Sequence, residues 1–147
     1  MDDPHSEYYE DGRSFMSMIR KTRQRTAIRE AFEACDRPLS PDEVLTAAQQ
    51  LTEGLGIATV YRNIKALVEE GWLVVVELPG QPPRYELSGK GHHHHFHCSG
   101  CGQVFELHGC VESFRSMIPA GFQITGHDVL LYGVCKLCRA AGHTARN

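Results

Sequence analysis

Residues Gly91 to Leu107, GHHHHFHCSGCGQVFEL, carry the densest group of metal-binding side chains in the chain. Five histidines and a C-x-x-C pair fall within ten residues, and another C-x-x-C pair, Cys135 and Cys138, lies near the C-terminal end. Two such pairs can each supply half of a tetrahedral zinc site with four thiolate ligands. The pattern therefore indicates a structural zinc site that uses four of the six cysteines.

The histidines need a separate interpretation, because four thiolates already complete a zinc site. In an extended segment, alternate side chains point to opposite faces. That alternation divides the run into two sets, His92 and His94 on one face, and His93, His95 and His97 on the other. A purification tag is a poor alternative, because this run lies mid-chain and leads directly into a cysteine pair. We interpret the run as one strand that serves two further metal sites.

The composition is that of a globular protein with one ordinary domain or two small ones. The chain has 147 residues, of which 41% are hydrophobic and 22% charged. The acidic N-terminus, MDDPHSEYYEDGRS, is unlike a secretory signal, and the longest apolar run, Trp72 to Val76, is too short to span a bilayer. We therefore expect a cytoplasmic protein with no membrane partner, whose cysteines bind metal instead of forming disulfides.

Basic residues are concentrated in one stretch, although the net charge is -3. Five of them lie within ten residues that contain no acid: Arg20, Lys21, Arg23, Arg25 and Arg29. Local positive charge adds sequence-independent affinity for phosphates, so the stretch favours contact with nucleic acid. A solvated helix face explains the same charges equally well.

Three helices and a β-hairpin are predicted in the first part of the chain. Apolar stripes place the helices at about residues 25–35, from Ser40 to Gly54, and at 57–71. The hairpin pairs residues 72–78 with residues 84–87. Three helices closed by a two-stranded wing form a winged helix-turn-helix, whose third helix enters the DNA groove.

Beyond residue 91 the pattern changes to short strands. They are predicted at residues 92–98, 103–107, 121–125 and 129–134, with one helix at about 111–118. This unit is too small to bury a generous core, so a structural metal and a partner subunit would both stabilise it. The predicted fold class is α+β, an N-terminal winged helix-turn-helix followed by a small α/β domain.

The order of the motifs resembles one known family. The winged helix contains G-x-A-T-V-Y-R, here Gly56 to Arg62, followed by H-H-x-H, C-x-x-C-G and a late C-x-x-C. From about Arg20 to Cys138 the chain resembles the ferric uptake regulator superfamily of metal-dependent repressors, and within it the zinc uptake regulator branch. The resemblance implies a homodimer that reads a double-stranded DNA operator. The expected divisions are an N-terminal arm at 1–18, a DNA-binding domain at 19–87, a hinge at 88–91 and a metal-binding dimerisation domain at 92–147.

The resemblance also implies which residues form each site. The structural zinc ligands would be Cys98, Cys101, Cys135 and Cys138. A regulatory site in the dimerisation domain would use His92, His94, Glu112 and His127, and a hinge sensor would use Glu86, His93, His95 and Glu106. DNA contacts are expected from Arg20, Lys21, Arg23, Arg25, Thr59, Tyr61 and Arg62, with packing on the helix bundle as the alternative for Tyr61. Cys110 matches none of these sets, and its roles as a reserve ligand or a redox-sensitive thiol both stay open.

The hinge sensor departs from the patterns of the family. In iron and peroxide sensors a histidine at the end of the first helix completes this site, and Arg37 and Pro38 stand there instead. The cysteine that many zinc sensors carry before the histidines is also absent, with Ser88 near that place. Glu86 and Glu106 remain, although an ordinary role as solvated strand carboxylates is equally open.

We interpret the chain as a metal-activated repressor of metal homeostasis genes, not an enzyme, with no small-molecule substrate. Structural zinc is expected, with zinc or iron as the regulatory metal. Zinc is preferred, because the regulatory site is rich in imidazole and the iron-type hinge histidine is absent. An iron-responsive regulator is the alternative, and a peroxide-responsive one is less favoured.

Two alternatives come from other classes of protein. A metal storage or chaperone protein would not need a winged helix that presents Tyr61 and Arg62. A thioredoxin-like enzyme would carry its C-x-x-C pair at a helix start, whereas both pairs here are predicted to follow strands.

Overall fold

The computed structural model describes residues 8–110 and 112–144, without the side chains of residues 8–11, 112 and 113. The elements in chain order are helices α1 (Tyr8–Cys35), α2 (Pro41–Gln49) and α3 (Ile57–Glu69), strands β1 (Leu73–Val76), β2 (Arg84–Leu87), β3 (His94–Cys98) and β4 (Val104–Leu107), a 3-10 helix (Glu112–Met117), strand β5 (Leu130–Gly133) and helix α4 (Lys136–Ala140). The predicted α+β fold, a winged helix followed by a small α/β unit, is confirmed.

Helices α1, α2 and α3 pack around one apolar core. Helix α2 begins with the predicted capping box, in which the Glu43 N–H donates to the Ser40 hydroxyl and the Ser40 N–H donates to the Glu43 carboxylate. The buried core residues are Ala27, Ile28, Ala31, Phe32, Leu39, Val44, Ala48, Leu55, Val60, Ile64, Leu67 and Leu73. Full burial of a large apolar side chain contributes about 1.5 to 3 kcal/mol. Apolar packing therefore holds this half together.

Helix α1 is longer than its apolar stripe predicts. It extends back to Tyr8, whereas the sequence pattern begins near Arg25. In the added turns Phe15, Met16 and Met18 are 60%, 65% and 60% exposed. Residues 12–18 are all exposed, so these turns add no buried side chain to the helical core. No helix in the described part of the chain, α1 included, is long and apolar enough to cross a membrane.

Strands β1 and β2 form the predicted wing. They pair antiparallel, with Leu73 opposite Leu87 and Val76 opposite Arg84. Leu39, in the segment after α1, exchanges two backbone hydrogen bonds with Tyr85 of β2, at 2.8 and 2.9 Å. The wing is thereby fixed to the helices.

Strand β3 is the central strand of a second sheet, with the order β4-β3-β5. It pairs antiparallel with β4, where His95 lies opposite Glu106, and parallel with β5. The buried core here is small, because Val76 and Leu78 from the wing pack only with Val104 among the buried residues of this cluster. Apolar burial alone therefore contributes little to this sheet.

The second unit differs from the prediction in two elements. Residues 121–125 form no strand, so that prediction is wrong. Their side chains are exposed, Phe122 by 71%, so the apolar residues of this segment do not mark a buried face. Helix α4 was not predicted, because five residues are too few to show a helical period. The predicted helix at 111–118 corresponds to the 3-10 helix.

Candidate metal centres and nucleic-acid interface

Four cysteines meet at one end of the second sheet. Cys98 ends β3, Cys101 lies in the following turn, Cys135 caps α4 and Cys138 lies within that helix. Their sulfur atoms all lie within 4.8 Å of one another. The Cys135 backbone N–H donates to Cys98 Sγ over 3.2 Å. A Cβ at Gly100 would lie 2.9 Å from Cys138 Sγ, so the turn needs glycine for this close approach.

Cys98 and Cys138 have pKa values displaced in opposite directions. The backbone N–H of Cys101 is the main cause that lowers the pKa of Cys98 to about 6, against the effect of burial. Burial, with the neighbouring thiols, raises the pKa of Cys138 to about 12. Thiolates this close repel one another, so ionisation of all four requires a bound cation. A set of four clustered sulfurs fits Zn²⁺, which binds thiolates in tetrahedral geometry.

The second cysteine pair follows a strand, as predicted, but it also begins a helix. Cys135 and Cys138 come just after β5 and lie at the start of α4, a helix that the sequence did not predict. Helix α4 has only five residues, however, and all four sulfurs share one cluster. That arrangement favours a shared metal over a redox site with two cysteines.

Three imidazoles converge beside the start of β3. His92 Nε2 lies 3.1 Å from both His94 Nε2 and His127 Nε2, and His94 Nε2 lies 3.2 Å from His127 Nε2. A neutral ring nitrogen carries either one hydrogen or one lone pair, so three of them cannot form three mutual hydrogen bonds. A cation shared by the three lone pairs satisfies them all, and imidazole suits zinc, copper, iron and nickel.

The other nitrogen of His94 has a backbone partner. The Val129 N–H donates to His94 Nδ1 over 3.2 Å, which puts the hydrogen of a neutral ring on Nε2. Ligation through Nε2 requires that hydrogen to move to Nδ1, and the Val129 hydrogen bond is then lost. Burial, followed by the neighbouring His92 and His127, lowers the pKa of His94. Metal binding here therefore competes with one backbone hydrogen bond.

Cys110 joins this cluster at the place where Glu112 was expected. Its Sγ lies 2.8 Å from His127 Nε2, and all four ligand atoms lie within 4.8 Å of one another. Glu112 begins the 3-10 helix, but its side chain lies outside the described part of the chain. The sequence left the role of Cys110 open, as a reserve ligand or a redox-sensitive thiol, because its position depends on a turn at Gly109, where φ is 98°. The signal available in the sequence was that Gly-Cys pair, just before Glu112.

The other face of the histidine segment contacts the wing. His93 Nε2 lies 2.9 Å from Glu86 Oε1, and His95 Nε2 lies 3.4 Å from Glu86 Oε2. Burial alone would raise the pKa of Glu86, but hydrogen bonds with His95 and His93 lower it overall. Burial alone would lower the pKa of His93, but hydrogen bonds to the Gly91 carbonyl and Glu86 raise it overall. This cluster connects β2 of the wing to β3 of the second sheet.

A basic concave surface lies between α1 and α3. Five of the expected DNA-contacting residues line it: Arg20, Lys21, Arg25, Thr59 and Arg62. Arg23 lies in a neighbouring groove, between α1 and the residues that follow α2. The surface combines positive charge with the first turns of α3, and positive charge favours contact with phosphates.

Three arginines of this surface contact other groups of the protein. Arg25 pairs with Glu70 at 2.5 Å, and Arg20 donates to the Gly54 carbonyl over 3.3 Å. Arg62 donates to Thr59 Oγ1 over 3.0 Å on the exposed side of α3. Tyr61 is 54% exposed, so its ring does not pack into the helix core.

Comparison with known proteins identifies the family. A model of the ferric uptake regulator family matches residues 17–132. The chain belongs to this family. The ferric uptake regulation protein of Campylobacter jejuni is 32% identical over 125 residues, which cover 82% of this chain and 80% of that protein. Within the family, the chain is a metal-responsive transcription regulator, and the family consists of regulators, not enzymes.

Two solved structures of ferric uptake regulators have the same fold. That of Helicobacter pylori, described as having three functional metal binding sites, is 25% identical, with a TM-score of 0.59 over 87% of this chain and 90% of that one. That of Vibrio cholerae is 32% identical, with a TM-score of 0.60 over 76% of this chain and 88% of that one. The family recognised from the motifs is thereby confirmed, while its zinc uptake branch stays a prediction.

In the segment predicted to be the hinge, this member of the ferric uptake regulator family has a lysine in contact with a candidate ligand. Lys90 Nζ lies 2.8 Å from Glu106 Oε2 and 3.0 Å from Asp36 Oδ1. Glu106 Oε1 lies 3.8 Å from His93 Nδ1, outside the group formed by Glu86, His93 and His95. The structure thus brings together three of the four expected hinge ligands, and the fourth is paired with an ammonium group.

Proposed function

We propose that this chain is a zinc-responsive repressor, which acts in the cytoplasm as a homodimer on the operators of metal homeostasis genes. The observation that carries the proposal is the convergence of His92, His94 and His127, whose Nε2 atoms lie 3.1 to 3.2 Å apart. Three imidazoles form a donor set that suits zinc, in a chain of a metal-responsive family.

A structural zinc ion would be held by Cys98, Cys101, Cys135 and Cys138. These residues would then fasten α4 to the end of β3, since they come from both elements. The regulatory zinc ion would be held by His92, His94 and His127, together with a ligand from residues 110–112. When bound, zinc supplies the positive charge that lets these donor groups remain close together.

Strand β3 connects the regulatory cluster to the wing. The segment carries His92 and His94 toward His127, and His93 and His95 toward Glu86 of β2. A change in the position of β3 therefore reaches the DNA-binding half through the wing. Metal activation requires a shift between two arrangements of the protein, one that binds DNA and one that does not. To change their ratio from 1:99 to 99:1, metal must bind the DNA-competent arrangement more tightly than the other by ~5.5 kcal/mol.

DNA contact is assigned to α3 and to the basic stretch of α1. Thr59, Tyr61 and Arg62 would contact bases or the adjacent backbone, because Tyr61 and Arg62 are exposed on α3. The basic residues Arg20, Lys21, Arg23 and Arg25 would contact phosphates, which position the protein without reading sequence. The DNA-binding domain would then comprise residues 19–87, after an arm at 1–18.

Homodimer formation is assigned to the second sheet. Strand β5 lies at an edge of that sheet, and its residues Leu131 and Tyr132 are 50% and 61% exposed. An exposed edge with apolar side chains is a surface that a second copy can cover. The dimerisation domain would comprise residues 92–147, joined through a hinge at 88–91.

The test begins with the selection of DNA from a random-sequence duplex pool by the full-length, zinc-loaded protein. Binding of the selected duplex is then titrated against buffered free Zn²⁺ and, without oxygen, Fe²⁺, and the bound metal is measured in the same samples. We expect zinc to increase DNA affinity at lower free concentration than iron. Equal DNA binding at every buffered zinc and iron level would refute a metal-responsive repressor.

An iron-responsive repressor is the second candidate. A carboxylate with two imidazoles, as in Glu86, His93 and His95, is a donor set that also suits iron, and the Campylobacter jejuni relative is named for ferric uptake. Activation at lower free iron than zinc would favour this candidate. Peroxide sensing has less support because Pro38 stands where the hinge histidine would be, and a storage protein would bind metal without selecting DNA.

A further inference from the structure

We propose that Cys110 is a thiolate ligand of the regulatory site, which then consists of three imidazoles and one sulfur. The inference rests on the proposed function, because it concerns the composition and metal preference of that same site. The carboxylate of Glu112, which the family resemblance implies, is not required for this set.

The geometry that supports the proposal is the position of the sulfur relative to the three rings. Cys110 Sγ lies 2.8 Å from His127 Nε2, and the sulfur and the three ring nitrogens lie within 4.8 Å of one another. In a tetrahedral zinc site with Zn–N of about 2.0 to 2.1 Å and Zn–S of about 2.3 Å, neighbouring donor atoms are about 3.3 to 3.6 Å apart. The nitrogen triangle, with sides of 3.1 to 3.2 Å, needs only a small expansion to reach that size.

The backbone before Cys110 turns the chain toward His127. Gly109 has a φ of 98°, a conformation that other residues rarely adopt, so the turn after β4 depends on glycine. Beyond Cys110, the Phe114 ring of the 3-10 helix lies 5.1 Å from the His127 ring. The loop thus contacts His127 on both sides of residue 111, and Cys110 is exposed beside the imidazoles instead of buried in a core.

The chemical consequence is a preference for zinc. Thiolates are soft ligands that select metals such as zinc, whereas carboxylates suit magnesium, calcium and manganese. One thiolate also supplies the negative charge that three neutral imidazoles lack. Replacement of the expected carboxylate by sulfur therefore increases discrimination between Zn²⁺ and Mn²⁺ at this site.

One test follows the reactivity of Cys110 in the full-length protein, with zinc retained at the four-cysteine site. Cys110 alkylation by iodoacetamide is measured by peptide mass spectrometry, with and without a further equivalent of zinc. We expect zinc to protect Cys110 in the unaltered chain and in Glu112→Gln, but not in His127→Ala. The half-buried Cys35 serves as the control thiol and should react equally throughout. A Cys110 alkylation rate that does not change with zinc would overturn the proposal.

A second test uses Co²⁺ in place of the regulatory zinc and compares Cys110→Ser with Glu112→Gln. We expect the thiolate-to-cobalt absorption of the added equivalent to disappear in Cys110→Ser and to persist in Glu112→Gln. Zinc affinity should fall by at least about tenfold in Cys110→Ser. Loss of a residue that only orients a metal ligand already lowers metal affinity by about that factor, and loss of a ligand itself should cost no less. Undiminished absorption and affinity in Cys110→Ser would overturn the ligand assignment.

DNA binding by the same variants separates this inference from the proposed function. If zinc protects Cys110 but does not change DNA affinity, the sulfur ligand stands and the repressor proposal fails. If Cys110→Ser and the unaltered chain bind DNA at the same free zinc concentration, the sulfur ligand fails and the repressor proposal stands.

Discussion

Different interactions stabilise the two regions of the molecule, the helical half formed by α1, α2, α3 and the wing, and the second sheet formed by β3, β4 and β5. In the described part of the chain, the helical half has a cluster of twelve buried apolar residues, whereas the cluster at the second sheet has three, two of them from the wing segment. The second sheet instead carries or borders three groups of metal-binding side chains. Its stability is therefore expected to depend on bound ions, and that dependence makes this half of the molecule suited to respond to metal.

The largest expected effect comes from loss of the zinc ion proposed for the four-cysteine site. Because the folding of small zinc domains is coupled to ~10 to 16 kcal/mol of metal binding, Cys98→Ser should unfold the second sheet. The helical half should keep its structure, since its core contains none of these ligands. Hydrogen-deuterium exchange with mass spectrometry of the full-length protein measures both halves at once.

The matched control for this prediction is Cys35→Ser, a half-buried thiol at the end of α1 that lies outside the cluster. It should leave exchange in β3, β4 and β5 unchanged. Retained protection of these strands in zinc-free Cys98→Ser would show that the sheet does not need the ion, and the comparison between the halves would break down.

The next largest effect is expected in the helical core. Phe32 is 1% exposed, and its ring lies 6.3 Å from that of Trp72, edge to face. Phe32→Ala should lower the free energy of unfolding of this half by about 3 to 5 kcal/mol, through lost burial and a cavity. Denaturant unfolding followed by helical circular dichroism, with zinc content measured alongside, tests this value.

Phe15→Ala is the control for the core substitution. Phe15 is 60% exposed on the added turns of α1, so its removal should change stability by no more than about 0.5 kcal/mol. Zinc should be retained in both variants. A loss of zinc in Phe32→Ala would mean that the two halves unfold together and are not independently stable.

The helical half was more predictable from sequence than the second sheet. Its stripes of buried residues, such as Val60, Ile64 and Leu67, recur at helical spacing, and the Ser40 capping box marks the start of α2. The second unit has too few buried residues to give such a period, and the exposed segment at 121–125 was mistaken for a strand.

The sequence predicted which histidines would lie together, because side chains along one strand alternate between its two faces. Side chains of successive histidines point to opposite faces, which places His92 with His94 and His93 with His95. The positions of Cys110 and Lys90 depend on loop conformation and on contacts between distant segments. The Gly-Cys pair marks a turn but does not specify which segment the cysteine meets, so the sulfur near His127 and the ammonium beside Glu106 emerged only from the structure.

A smaller effect is expected from an ion-pair group in the helical half. Glu43 pairs with Arg37 at 2.6 Å and with Arg84 of the wing. Glu43→Gln can keep the capping box, since the glutamine oxygen also accepts at that position. Its NH2 group cannot accept from a guanidinium, so the change removes the charge and one of the two arginine contacts. We expect a loss of about 1.5 to 3 kcal/mol near neutral pH, the range for hydrogen bonds to charged groups.

The pH dependence of this loss follows from the pKa of Glu43. Burial alone would raise that pKa, but hydrogen bonds and charge from Arg37 and Arg84 lower it below its ordinary value of 4.5. The contribution is therefore fully present above 4.5 and disappears as the pH falls through the lowered value. Urea unfolding at several pH values should show the two proteins converging in acid. A constant difference between them would assign the loss to packing instead of charge.

The smallest effect is expected where the two halves meet, at Lys90. Its ammonium joins Asp36, at the end of α1, to Glu106 of β4, and these two carboxylates raise its pKa although burial acts in the opposite direction. The Glu106 side chain is 7% exposed and that of Asp36 is 70% exposed. Because solvent screens exposed pairs, the coupling should come almost entirely from Glu106, at about 1 kcal/mol. Double-mutant cycles of Lys90→Ala with Glu106→Gln and with Asp36→Asn separate the two contributions.

These cycles are measured by denaturant unfolding with zinc bound at the four-cysteine site only. The control variant is Lys65→Ala, which removes an exposed lysine on α3. A Glu106 coupling together with an unresolved Asp36 coupling would mean that Lys90 stabilises the second sheet and does not restrain the helical half. A comparable coupling to Asp36 would instead make Lys90 a link between the halves, because Asp36 follows α1 directly. In that case the helical half would resist displacement of the sheet even without metal at Glu86, His93 and His95.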